Sequence, residues 1–303
     1  MVADYGQILM TTVLTAVFTA VVVLLAGNIP WAGFGRISGL GARNLLVWTA
    51  VPWAILPMSV YLWAYWRFIG GAWGQPSNRD ARRANLRANS LSPRLWGASL
   101  GAGVLGFAAT LALLAVAARL VELPSSAPIV TPPEMPLLTA FLLLAMQSIV
   151  AGVSEEAAFR GYMQSIIERG YGAVVAIILN GVLFGLLHFG NHPADVFLML
   201  PYYVVVSAVY GGLTWAADSI LPAVVLHCVG DIIVLTRWWA TGVPEWQLSA
   251  APQPLIWGPG IDSSFVVTVV ASLVLVLLTS LAYRAVHTLR VRTLAAGGTG
   301  LEA

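Results

Sequence analysis

Charge is what this sequence lacks most. Only 9% of its 303 residues are Asp, Glu, Lys or Arg, while 59% are hydrophobic; a soluble domain carries about 25% charged residues. Water could not solvate such a chain as a globule, so the composition places it in the membrane class. Lysine is absent: all fifteen basic residues are Arg, and the net charge is only +2. So slight a positive balance offers nothing to a nucleic-acid partner. Cysteine is nearly absent. The single Cys228 excludes an intramolecular disulfide and any Cys-based zinc cluster, and in its apolar run it reads as a small core hydrophobe. The first residues lack a basic lead-in and a small-residue cleavage pattern, so the first apolar run reads as an anchor. No internal repeat is visible. There is no helical His-Glu-x-x-His, which counts against a zincin-type site. No Ser-His or Cys-His pairing with a third orienting residue stands out, which counts against a covalent nucleophile.

Long apolar runs are what the sequence has. A membrane-spanning helix needs about 20 mainly apolar residues, and eight stretches qualify. The first is about Ile8 to Ala26, closed by Gly27-Asn28-Ile29-Pro30. The second is about Asn44 to Ile69, with Pro52 and Pro57 implying a kink. The third is about Leu95 to Ala118. The fourth starts near Leu137 and runs to about Arg169, where Gly170 and Gly172 supply a stop. The fifth, about Ala173 to Phe189, ends at Gly190-Asn191-His192-Pro193. The sixth is about Val196 to Ala216, the seventh about Leu221 to Leu235, with Pro222 suited to a first turn, and the eighth about Phe265 to Val286. The fold class expected is an all-α, polytopic transmembrane bundle of about eight spans around a polar cavity.

The connecting segments set the orientation. Gly70 to Arg94 holds Arg79, Arg82, Arg83, Arg87 and Arg94; it reads as a solvated cytoplasmic loop, with anionic-lipid docking as the alternative. Leu123 to Pro136 reads as an extended connector. Arg237 to Asp262, with Trp238, Trp239, Trp246 and Trp257, suits an interfacial segment. A short tail with Arg290 and Arg292 ends in a Gly-rich piece that reads as disordered. With the arginine-rich loop in the cytoplasm, alternating spans leave eleven arginines inside and four outside, as the positive-inside rule requires. Both termini are then cytoplasmic. The chain divides into 1–136 with its basic loop 70–94, a core of 137–237, and 238–303, all within one membrane domain.

Three clusters put polar groups into apolar runs, where each ionisable residue costs about 2.5–3.5 kcal/mol by insertion scales. The first is Glu155-Glu156-Ala157-Ala158-Phe159-Arg160. Glu156 and Arg160 are four apart and can pair on a helix, leaving Glu155 to face elsewhere. The second is Phe184-Gly185-Leu186-Leu187-His188. The third is His227-Cys228-Val229-Gly230-Asp231, again with its ionisable pair four apart. Each has a plain structural reading: an interfacial salt bridge, a histidine satisfied by a neighbouring backbone, a buried His-Asp pair. His192, beside Pro193, and His287 read as uninvolved. Taken together, Glu155, His188, His227 and Asp231 are most cheaply kept by turning them toward one wet cavity. Carboxylate plus imidazoles is a kit for activating water and polarising a carbonyl, and the same kit can bind zinc.

These three motifs, in this order on successive late spans, resemble the CPBP family of CAAX proteases and bacteriocin-processing enzymes. The resemblance covers about Leu137 to Leu235, a third of the chain. It implies an intramembrane endopeptidase with an all-helical fold and a water-filled cavity. By that analogy Glu155 activates water, His188 orients it, and His227 with Asp231 stabilises the oxyanion. Glu156, Arg160 and Phe184 hold the site together. A metal such as zinc, where one is used, would draw on Glu155, His188, His227 and Asp231. The prenyl endopeptidases typically have Asn where this chain has Asp231. An ionised Asp cannot donate to an oxyanion, so Asp231 is either protonated, or orients His227, or binds a metal. The expected partners are a membrane-protein or lipopeptide substrate and the lipid bilayer of a prokaryotic plasma membrane. The oligomeric state is left open. The other readings are a non-catalytic scaffold or immunity protein and, against the missing repeat, an ion-coupled transporter.

Overall fold

The computed structural model describes residues 2–38, 54–124, 128–188, 196–244, 246–249 and 253–298, with the side chains of 2–7, 34–38, 196 and 296–298 left aside. Every regular element among them is helical: α1 (Val2–Ser38), α2 (Ile55–Ile69), a 3-10 turn (Pro76–Asn78), α3 (Arg79–Leu86), α4 (Pro93–Leu120), α5 (Leu137–Glu155), a π-helical segment (Glu156–Met163), α6 (Gln164–Leu187), α7 (Val196–Ala217), α8 (Leu221–Thr241) and α9 (Ser263–Gly298). Six helices among the described residues are long and apolar enough to cross a membrane. One of these, Leu137–Leu187, has 51 residues, about 76 Å at 1.5 Å per residue, more than twice a bilayer core of about 30 Å. It is broken at Gly172, which takes φ 80°, ψ 166°, a conformation open to glycine. The stop expected at Gly170–Gly172 is therefore real and makes two spans of one. The remaining span of the eight corresponds to α2; its first part, 44–53 with Pro52, lies outside the described residues, as does His192.

Several boundaries differ from the sequence reading. Gly27-Asn28-Ile29-Pro30 does not close the first helix; α1 continues through Pro30 to Ser38. A proline inside a helix leaves the carbonyl four residues back without its amide partner, and in lipid that group must be satisfied from elsewhere. The Tyr61 hydroxyl does so, donating to the Ala26 carbonyl at 2.6 Å. Helix α8 runs on to Thr241, so Trp238 and Trp239 are helical and not part of a loop; Gly242, at φ 70°, ends it. Helix α9 continues past Val286, where the last span was expected to end, through Arg290 and Arg292 to Gly298; the remainder of the Gly-rich end lies outside the described residues.

The chain forms two compact units. The first comprises 1–88, 127–172 and 227–245. In it α1 lies antiparallel along α5: Trp31 Nε1 donates to Gln147 Oε1 at 2.6 Å and Asn28 Nδ2 to Ser154 Oγ at 2.5 Å. At Gly27 the backbones come so close that a Cβ would strike the Ser154 side chain. The arginine-rich stretch is largely exposed but partly helical and pinned to its neighbours. Its α3 buries Leu86 against Gly161, where an added Cβ would lie 3.1 Å from the Leu86 carbonyl oxygen. Arg87, left-handed at φ 55°, ends α3 and forks onto both carboxylate oxygens of Glu168 at 2.9 and 3.3 Å. Arg169 donates to Asn85 at 2.7 Å.

The second unit comprises 89–126, 173–226 and 246–303. Leu95, Ala102, Tyr210, Leu213, Leu226 and Val286 form its apolar core. Gly106 and Gly212 make room for the ring of Tyr283, whose hydroxyl donates to the Val209 carbonyl at 2.8 Å. At one end Arg119 donates to the Pro254 carbonyl at 2.6 Å and to Asp262 Oδ2 at 2.7 Å. Asp262 in turn accepts from the Phe265 amide at 2.7 Å, an N-cap for α9. Of the tryptophans expected at an interface, Trp257 is 73% exposed while Trp246 is buried.

Candidate active site

The first cluster sits where regular helix gives way. From Glu156 to Met163 the backbone is π-helical and every residue is buried. A π turn widens the helix and re-aims its side chains, and such turns gather at functional sites. The small Ala157, Ala158 and Gly161 let neighbouring chain close around this wider turn. Glu156 and Arg160 pair at 3.0 Å, both with fully buried side chains, as their spacing suggested.

Helix α8 completes the arrangement. His227 Nδ1 lies 2.7 Å from Glu156 Oε1. A carboxylate oxygen accepts, so Nδ1 carries the proton. The ring is thereby fixed with Nε2 directed at two more carboxylates, Asp231 Oδ2 at 3.5 Å and Glu155 Oε2 at 3.8 Å. One imidazole thus bridges a wholly buried carboxylate and two accessible ones, the Glu155 and Asp231 side chains being 20% and 35% exposed. The buried partner orients and the accessible ones can meet a substrate.

Sequence reasoning missed the residue that permits this. At Gly152 a Cβ would lie 2.5 Å from Cys228 Sγ and 2.9 Å from the Cys228 amide nitrogen. Helices α5 and α8 therefore touch backbone to backbone one turn before Glu155 and beside His227, the close approach that small residues allow in membranes. The Ala151-Gly152 pair inside an otherwise large-residue run was the available signal. Cys228 is not the enclosed core residue expected. It is part-exposed at this crossing, its thiol directed at the Ile149 carbonyl 3.9 Å away.

The second cluster belongs to the second unit. His188 Nδ1 donates to the Phe184 carbonyl at 2.8 Å. The ring stacks on Tyr203 with centroids 4.6 Å apart and meets the edge of Phe184 at 4.7 Å. Phe184 is buried, so it acts as a wall that sets the rotamer of His188.

Among the described residues no three His, Cys, Asp or Glu side chains are placed to hold a metal ion. His227 gives Nδ1 to Glu156 and keeps Nε2 toward Glu155 and Asp231.

Residues 137–233 match the family model of the type II CAAX prenyl endopeptidases, described as Rce1-like. That stretch is about a third of the chain and holds Glu155, Glu156, Arg160, Phe184, His188, His227 and Asp231. No curated protein and no solved structure matches the chain. The match falls on the same stretch whose motifs resemble the CPBP family. At the level of the family it supports a CAAX-protease-like membrane endopeptidase. With the apolar helices it supports an integral, multi-pass membrane protein.

Proposed function

We propose that this protein hydrolyses a peptide bond of a membrane-protein or lipopeptide substrate near the membrane interface, using Glu155 to activate water. The observation that carries the reading is the His227 imidazole, held by buried Glu156 and turned toward Glu155 and Asp231. Glu155 takes a proton from water as the oxygen attacks the scissile carbonyl, and returns it to the leaving amine. His227, held at Nδ1 by Glu156, supplies Nε2 toward the developing oxyanion. Asp231 faces that same Nε2, which supports the orienting role over that of an Asn-like donor. The family resemblance, by itself, assigns His188 to orienting the water. The arginine distribution supports both ends of the chain on the cytoplasmic side, and the family resemblance supports a prokaryotic plasma membrane.

The test compares newly formed peptide termini, by mass spectrometry, in membranes holding wild type or Glu155→Gln at equal abundance. Fragments that vanish with the variant name the substrate; identical profiles would overturn the protease reading. Water activation in this scheme needs no resident metal. Turnover of that substrate is expected to survive exhaustive dialysis against 1,10-phenanthroline. Loss of turnover restored by stoichiometric zinc would replace the glutamate-type reading with a metal-dependent one.

A further inference from the structure

The elbow between α2 and α3 carries charge and aromatic surface that the proposed chemistry does not use. Arg67, Arg79 and Arg83 are all exposed, and among the described residues none has an ion-pair partner. Arg79 and Arg83 are four apart, hence on one face of α3. Arg82, by contrast, is spent on the fold. It donates to the Trp73 carbonyl at 2.6 Å and lies over the Phe68 ring at 4.8 Å. Beside these arginines is an exposed aromatic surface. Trp63 is 57% exposed, Phe68 53% and Trp73 41%, and Trp63 meets Trp73 edge to face at 4.9 Å. Tryptophans of this kind sit at headgroup level, which puts the neighbouring guanidinium groups at the depth of lipid phosphates, their bidentate partners.

We infer that this elbow is a binding site for the headgroup of an anionic phospholipid, with Arg67, Arg79 and Arg83 on the phosphate and Trp63, Phe68 and Trp73 against the glycerol and upper acyl chain. The α3 helix that would hold the lipid also buries Leu86 against Gly161 of the π-helical segment. Lipid binding therefore steadies the wide turn that carries Glu156 and Arg160. This inference does not depend on the protein being a protease.

The test uses the full-length protein in nanodiscs of phosphatidylcholine with or without phosphatidylglycerol. Retained lipid is read by native mass spectrometry and amide exchange is read across 156–163. Wild type is expected to retain phosphatidylglycerol in preference to phosphatidylcholine, and to exchange more slowly at 156–163 when it is present. Arg67→Gln/Arg79→Gln/Arg83→Gln should lower that preference about tenfold or more, each arginine being worth about 1 kcal/mol at an anionic surface. Arg284→Gln/Arg292→Gln, a charge change elsewhere, should leave it intact. Equal retention of the two lipids by wild type, or an undiminished preference in the triple variant, would overturn the site. Displacement of the lipid by equimolar glycerol phosphate would overturn the lipid as its occupant. Unchanged exchange at 156–163 would overturn the coupling to the π turn.

Discussion

The two units handle charge in opposite ways. The first places Glu156, Arg160 and His227 among fully packed neighbours, in the midst of long apolar helices. The second keeps its ion pairs at helix ends, Arg119 with Asp262 and Arg290 with Asp218, one partner of each about half exposed. Its close approaches, Gly181 on Val204 and Gly106 and Gly212 on Tyr283, are among neutral groups. Buried ion pairs contribute little net stability, since desolvation offsets attraction. A fold that needed only to span a bilayer would resemble the second unit. The cost accepted in the first is the mark of a site.

The comparison breaks most sharply at Glu155. Glu155→Gln should lower kcat by about a thousandfold, within the 10²–10⁴ of a general base. Its thermal unfolding should stay that of wild type, because Glu155 is not the residue that neutralises Arg160. Removing the buried partner tests the other half. Glu156→Ala strands Arg160 and should cost about 3–5 kcal/mol in unfolding. In the second unit Asp218→Ala, whose carboxylate is 44% exposed and 3.8 Å from Arg290, should cost about 1 kcal/mol or less. Equal costs would erase the distinction between the units.

Glycine substitutions sharpen it further. Gly152→Ala presses on Sγ and the backbone nitrogen of Cys228, whereas Gly103→Ala meets only side-chain carbons of Leu226 and Leu213. The first should destabilise by about 1–3 kcal/mol and move His227 enough to depress activity. The second should be milder, since a leucine tip can swing aside. Urea or thermal unfolding of both variants, with activity alongside, decides between them. The smallest effect concerns Asp262. Its hydrogen bond from Arg119, then that from the Phe265 amide, hold its carboxyl below the ordinary value of 3.8. A depressed native value stabilises above the unfolded one and is lost as pH falls through the native one. The Asp262 contribution should thus be constant above about pH 4 and fade only in stronger acid. Asp262→Asn should flatten that part of the stability profile.

Much of this was legible in the sequence. Four-residue spacing put Glu156 on Arg160 and Asp231 beside His227, because a helix fixes which of its own residues are neighbours. Gly172 announced the break that divides Leu137–Leu187. The arginine-rich stretch is mostly exposed, but the single Leu86 that pins it to Gly161 could not be picked out among its charges. Nothing marked the π turn, since Glu156–Met163 has the composition of an ordinary α-helix. Nor did spacing show that α1 passes through Pro30, because the hydroxyl that satisfies the freed carbonyl comes from Tyr61, 35 residues away.

Composition and period determined the membrane, the helices and the inventory of ionisable groups within them. Those are local properties, fixed by burial cost and by 3.6 residues per turn. Only the tertiary structure decided that the Glu156 carboxylate, and not Glu155, takes His227 Nδ1. That choice depends on the widened turn at Glu156 and on α5 and α8 meeting at Gly152 and Cys228. It is long-range packing, to which the spacing within any one helix is blind.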